Sequence, residues 1–295
     1  MVKDYRLAAG RRPAWASGPA AKRHSLLTTH HSPLTINTMR NFLVALAFLT
    51  ILPIRFRKLV SPRDVLRSRY WYPLIGLLLG GVLGGWAELT ARSGKPLVAA
   101  FLILSAWVVL TGALHLDGFC DACDGLFGGQ TAEDRLRIMK DPHLGTFGAA
   151  GAILLLLGKW AVLVTLSERP GDLLPWIVAA AVCVARCLVL VIAGAGCYAR
   201  LEGTGQALIA ARPAEAVSFA LVGGAAALAL LSGTGILMAL APFLASLVVV
   251  LALTRMALRR LGGITGDCLG AAIEAAELAF LLTAALLPSE TTAWR

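Results

Sequence analysis

The sequence predicts an all-α integral membrane protein, a polytopic helical bundle of about seven spans plus one short re-entrant or interfacial helix. Three observations predict it. Hydrophobic residues make up 58% of the chain and charged residues 15%, against about 25% charged in an average soluble domain. Several apolar runs reach or approach the roughly 20 residues that carry a helix across a bilayer. The basic residues also fall preferentially on one side of those runs, as the positive-inside rule requires.

Residues 1–38 are basic and polar, rich in Ala, Ser, Thr, His and Pro, and hold no apolar core of the kind a secretory signal carries. They read as a disordered N-terminal extension, with Met39 as the working start and 39–295 as the membrane-embedded domain. From Asn41 to Ile54 runs an apolar stretch too short to span comfortably. Positive charge flanks it on both sides, with Lys22, Arg23 and Arg40 before it and Arg55, Arg57, Lys58, Arg63, Arg67 and Arg69 after it. This is the re-entrant or interfacial helix. Spans follow at about 71–90, 97–114, 147–166, 176–196, 216–231, 236–254 and 269–287. Gly76, Gly80 and Gly84 recur every fourth residue in the first span, a small-residue ridge that admits a close neighbour.

With the flanks of the first segment inside, the inside regions hold 21 of the 27 Lys and Arg residues. The outside loops and tail hold Arg92, Lys95, Arg169 and Arg295, while Lys159 and Arg186 remain within the membrane. Segments 115–146, 197–215 and 255–268 then share the cytoplasmic side of the inner membrane. A net charge of +10 does not point to nucleic acid, because no dense basic stripe with interleaved aromatics accompanies it. The six cysteines lie in or beside apolar segments. Cys120 and Cys123 lack a second pair at zinc-ribbon spacing, so the thiols read as small packing residues.

The chemistry concentrates in His115-Leu-Asp-Gly-Phe-Cys-Asp-Ala-Cys-Asp-Gly125. On a helix, Asp117, Asp121 and Asp124 share one face within an arc of about 60°. Adjacent carboxylates at a membrane boundary repel one another and must shed water. A hard divalent cation such as Mg²⁺ or Mn²⁺ relieves that conflict. A second acidic face comes from Asp267, Gly270, Glu274 and Glu277, within an arc of about 80°. Glutamates inside an apolar span cost about 2–4 kcal/mol each to insert, so they should face a protein interior or a wet cavity. Arg186 is their countercharge candidate. In Met139-Lys-Asp-Pro-His-Leu-Gly-Thr-Phe-Gly148, Lys140 and His143 suit a phosphate, and Gly145 and Gly148 permit close backbone approach. Arg200 either binds an anion or obeys the positive-inside rule.

Taken together these segments resemble the adenosylcobinamide-GDP ribazoletransferase family, the membrane-bound cobalamin synthases. Phe48–Pro53, Pro73–Gly81, Leu114–Gly125, Ile138–Gly148 and Gly262–Glu274 carry the resemblance, in the family's order, across roughly residues 40–287. The resemblance implies that a ribose hydroxyl of α-ribazole, or of its 5′-phosphate, attacks the cobinamide-linked phosphorus of adenosylcobinamide-GDP. GMP then leaves. It also implies Mg²⁺ as cofactor, held by Asp117, Asp121 and Asp124, with Asp267 as a further ligand or as acceptor for the attacking hydroxyl. Lys140, Asp141, Gly145, Arg186, Arg200 and Glu274 are the substrate-binding candidates. The expected partners are the two small-molecule substrates and membrane lipid, with no nucleic acid and with a homo-oligomer left open. A CDP-alcohol phosphotransferase would share the acidic-metal logic, but its small-residue-Arg step after the first Asp-Gly is missing. A transporter would show half-repeats with interrupted helices, and none is visible.

Overall fold

A computed structural model describes residues 34–169, 173–195, 197–200, 203, 205–209 and 213–288; residues 1–33 of the N-terminal extension lie outside the described residues. The helices are α1 (Leu34–Leu49), α2 (Pro62–Ser68), α3 (Tyr72–Ala91), α4 (Pro96–Thr111), α5 (Leu114–Gly128) and α6 (Ala132–Ile138). They continue with α7 (Thr146–Ser167), α8 (Leu174–Ala193), α9 (Gln206–Ile209), α10 (Pro213–Leu230), α11 (Ile236–Leu261) and α12 (Gly266–Leu286). The boundary drawn at residue 38 falls within α1. Among the described residues there is no strand, and one isolated bridge pairs Tyr198 with Ile264.

A helix that is apolar on every side belongs in the middle of a bundle, and α8 occupies that place. Its apolar window is 89% buried, against 28% for α7, and α3, α10, α11 and α12 all pack on it. The glycine ridge of α3 is what lets α3 approach. A Cβ on Gly80 would stand 2.6 Å from the Ala179 carbonyl oxygen, and one on Gly84 would stand 2.6 Å from that of Pro175. Gly81 and Gly85, on the other side of the helix, face open space. The ridge is therefore a packing device, as its spacing predicts.

Among the described residues five helices are long and apolar enough to cross a bilayer alone: the unit Pro62–Ala91, α7, α8, α11 and α12. The expected count of about seven changes at two places. The apolar part of α10, Ala214–Leu230, falls short of crossing length. The expected span at 97–114 stops at Thr111, and the chain then bends by 89° into α5. The bend is made by consecutive left-handed residues, Gly112 at φ 61° and Ala113 at φ 54°. For Ala113 this conformation costs about 1–2 kcal/mol. The end of α1 supports the corner, because the Ile51 N–H donates to the Leu110 carbonyl at 2.8 Å. Much of the segment expected between spans, 115–146, is thus the helix α5, which leaves the line of α4. At the opposite end of α12, Arg169 caps the helix by donating to the carbonyls of Ala284 at 3.0 Å and Leu287 at 2.9 Å.

Replacing Gly80 by Val is expected to destabilise the bundle by about 1–3 kcal/mol, the usual cost of overpacking. Gly81→Val, one residue on, is expected to leave stability within experimental error. Unfolding of the two variants in mild detergent checks both.

Candidate active site

Because α5 is a regular helix, Asp117, Asp121 and Asp124 do lie along one side of it. Two glycines then bring a fourth aspartate to them. A Cβ on Gly118 of α5 would stand 3.2 Å from the Asp267 Cα, and one on Gly270 of α12 would stand 3.0 Å from the His115 carbonyl oxygen. The two backbones touch where α5 crosses α12. Asp267 sits in the first turn of α12, behind the N-cap Thr265.

The loops before α12 and after α8 complete this end of the bundle. Ala199 N–H donates to the Ile264 carbonyl at 3.0 Å, and Ile264 N–H donates to the Cys197 carbonyl at 2.8 Å. That stitching carries Arg200 to Asp267, where its Nη2 donates to Oδ2 at 2.7 Å and also to the Met139 carbonyl at 3.4 Å. On the other flank Arg260 Nη1 donates to the Leu126 carbonyl at 2.8 Å. The three segments expected to share one side of the membrane therefore meet at one end of the molecule.

Asp117 is exposed, while Asp121 and Asp267 are half-buried. Burial, then the carboxylates of Asp267 and Asp117, push the Asp121 carboxyl up to about 7, against a weaker opposing pull from Arg200. Asp121 lies on α5, outside the five crossing helices. Arg200 Nε is buried without a described hydrogen-bond partner. Lys140 and Asp141 are exposed on the loop after α6. Asp141 turns back on its own loop, where hydrogen bonds from the His143 N–H and ring hold its carboxyl below the usual range.

The metal reading treats the three α5 aspartates as equals, and the structure separates them. Asp124 is buried, and its Oδ2 and Oδ1 accept from the N–H groups of Gly145 and Gly148, each at 2.8 Å. Those donors are the N-cap and N3 positions of α7, so Asp124 caps α7 from another helix. A Cβ on Gly145 or Gly148 would stand 2.3 Å from an Asp124 oxygen. Close approach does explain these glycines, but the approaching group is the protein's own carboxylate. Among the described residues no three His, Cys, Asp or Glu side chains form a ready-made metal cage.

Deeper in the bundle lies a cluster of four charges. Lys159 Nζ of α7 reaches Glu274 Oε2 at 2.6 Å and Glu277 Oε2 at 2.5 Å. Arg186 of α8 pairs with Glu277, and Trp107 Nε1 of α4 donates to Glu277 Oε1 at 3.2 Å. The Lys159 ammonium also stands 4.9 Å from the Trp107 ring centre. Arg186 and Glu277 are fully buried, and Arg186 stands as the countercharge of Glu277. From sequence alone Arg186 is the candidate countercharge of the glutamates, and Lys159 has no assigned part. The signal was present, since a lone lysine within an apolar span needs an acidic partner. His115 is buried beside this cluster, with Nδ1 unpartnered.

With this geometry in view, residues 41–285 match the family of cobalamin-5-phosphate synthases. The chain belongs to that family. Similar proteins named adenosylcobinamide-GDP ribazoletransferase occur in Desulfitobacterium hafniense (strain Y51), 38% identical over 84% of this chain and 97% of its own length. In Pseudomonas syringae pv. syringae (strain B728a) one is 40% identical, over 84% of this chain and the whole of its own length. In Ectopseudomonas mendocina (strain ymp) one is 41% identical, over 82% of this chain and 97% of its own length. No solved structure matches the chain. All of the carboxylates described above lie inside the family match, and the chain is an enzyme, as its similarity to relatives named for an enzymatic activity shows.

Asp124→Ala is expected to cost about 1–2 kcal/mol by uncapping α7. It should also remove the hydrogen-exchange protection of the Gly145 and Gly148 amides. Exchange measured in detergent micelles checks the cap independently of activity.

Proposed function

We propose that this chain transfers the adenosylcobinamide-phosphate group from adenosylcobinamide-GDP to a ribose hydroxyl of α-ribazole or its 5′-phosphate, releasing GMP. The product is adenosylcobalamin or its 5′-phosphate. The observation that carries this reading is identity of 38–41% across 97–100% of the length of relatives named for that activity. The converged end of the bundle supports it, with under-neutralised carboxylates beside the Arg200 guanidinium. The charge asymmetry of the loops supports placing that end at the cytoplasmic face of the inner membrane.

The reaction joins the hydroxyl oxygen to the cobinamide-linked phosphorus and breaks the bond from that phosphorus to the oxygen bridging to GMP. GMP departs with the bridging oxygen. Such transfers depend mainly on positioning and on fields that favour the developing charge. Arg200, held by Asp267, supplies positive charge for a phosphate of the substrate. Asp267 Oδ1 accepts from no described donor, and in our assignment that oxygen receives the hydroxyl proton. Lys140, on the exposed loop, adds positive charge for the phosphates.

Mg²⁺ is the cofactor we assign. This ion commonly takes one or two carboxylates and completes its shell with water and substrate phosphates, so a three-residue cage is not required. Asp117 and Asp121 fit that role, and a cation beside them relieves the repulsion that raises Asp121. When bound, the ion would neutralise diphosphate charge and act as a Lewis acid. Asp124 serves this arrangement by fixing α7 against α5.

Protein in nanodiscs is expected to release GMP from adenosylcobinamide-GDP only when α-ribazole, or its phosphate, and a divalent cation are present. Asp117→Asn and Asp121→Asn should each lower turnover by about 10²-fold or more; folded variants with near-normal turnover would overturn the metal assignment. Protonation of Asp121 below about pH 7 competes with the ion. The apparent Mg²⁺ affinity should therefore weaken about tenfold between pH 8 and pH 6, and Asp121→Asn should abolish that dependence.

A further inference from the structure

The four-charge cluster is neutral as a set, yet its members do not face the same surroundings. Glu277 is closed on every side, with Lys159, Arg186 and Trp107 on its two oxygens. Glu274 is different. Its Oε2 is held by Lys159, while its Oε1 accepts from no described donor and is not among the buried atoms lacking a partner. The side chain keeps 7% of its surface. On α12 it stands one turn beyond Gly270, where α5 crosses, as Asp267 stands about one turn before it. Glu274 therefore stands on α12 between Asp267 and the fully buried Glu277.

We infer that Lys159 is a positioning residue that holds Glu274 Oε2 so that Oε1 forms a subsite for an uncharged hydrogen-bond donor on a substrate. A carboxylate edge repels phosphate and accepts from N–H and O–H groups. The subsite therefore takes the hydroxyl- or amide-bearing part of a substrate and leaves the diphosphate to the outer end. Lys159 serves this purpose because its ammonium bridges both glutamates, which fixes Glu274 relative to the immobile Glu277. This assignment rests on the transferase reading for the identity of the substrates, and on geometry alone for the subsite.

The test uses the full chain in nanodiscs. Removing Lys159 alone strands charge in the interior, so the informative variant is the neutral double change Lys159→Met with Glu274→Gln, which leaves the Arg186–Glu277 pair in place. It is compared with Lys159→Gln, which keeps Glu274 but replaces its holder by a neutral amide. For each folded variant, KM and kcat are measured for both substrates, and equilibrium binding of each substrate is measured without turnover. The expected result is a loss of at least tenfold in affinity for one substrate in both variants, with the Mg²⁺ requirement unchanged. A folded double variant with wild-type KM values and affinities would overturn the subsite. Wild-type affinities in Lys159→Gln alone would overturn the positioning role. Wild-type protein that binds the substrates but releases no GMP would refute the transferase reading, and the binding comparison would still decide the subsite.

Discussion

Two helices separated by more than a hundred residues touch backbone to backbone at Gly118 and Gly270, and the acidic end of the molecule depends on that contact. Asp267 lies on α12 and the aspartate face lies on α5, so nothing in the chain's local order holds them together. Only residues without a Cβ allow the two helix axes to come this close. The left-handed pair Gly112 and Ala113 makes the contact reachable, because α5 must leave the line of α4 before it can meet α12. A local conformational penalty at Ala113 thus sets the direction of the helix that carries the chemistry.

In a bilayer, apolar burial between helices gains little, since lipid is as apolar as leucine. Close packing and polar contacts have to hold the bundle instead. The α3 ridge against α8 is the packing contribution. The polar contribution lies in the charges around Glu277, which join α4, α7, α8 and α12, and in Asp124, which ties α5 to α7. Breaking one partner of such a buried pair strands a charge, typically at about 3–5 kcal/mol. The site is therefore built on polar joints as well as on small residues.

Much of this was legible in the sequence, for identifiable reasons. Membrane class and helix order follow from runs of apolar residues, and the grouping of the 115–146, 197–215 and 255–268 segments follows from where Lys and Arg fall. The spacing of Asp117, Asp121 and Asp124 predicts a common helical face. It does not reveal that Asp124 turns aside to cap α7, because the donors come from a segment about twenty residues away. The bend after Thr111 was hidden for a related reason: Gly112 looks like an ordinary small residue until its neighbour Ala113 also adopts a left-handed conformation. Lys159 was visible as an anomaly, but two cations and two glutamates on three spans allow several pairings, and only packing chooses among them.

The balanced charges around Glu277 have an electrical consequence. Moving one elementary charge through a potential of 100 mV changes the energy by about 2.3 kcal/mol, enough to let the membrane voltage drive a conformational change. Lys159, Arg186, Glu274 and Glu277 contribute two charges of each sign, bound tightly to one another. A displacement that carries them as a unit moves no net charge across the field. The interior can thus keep ionised groups beside the chemistry while remaining insensitive to whether the cell membrane is energised.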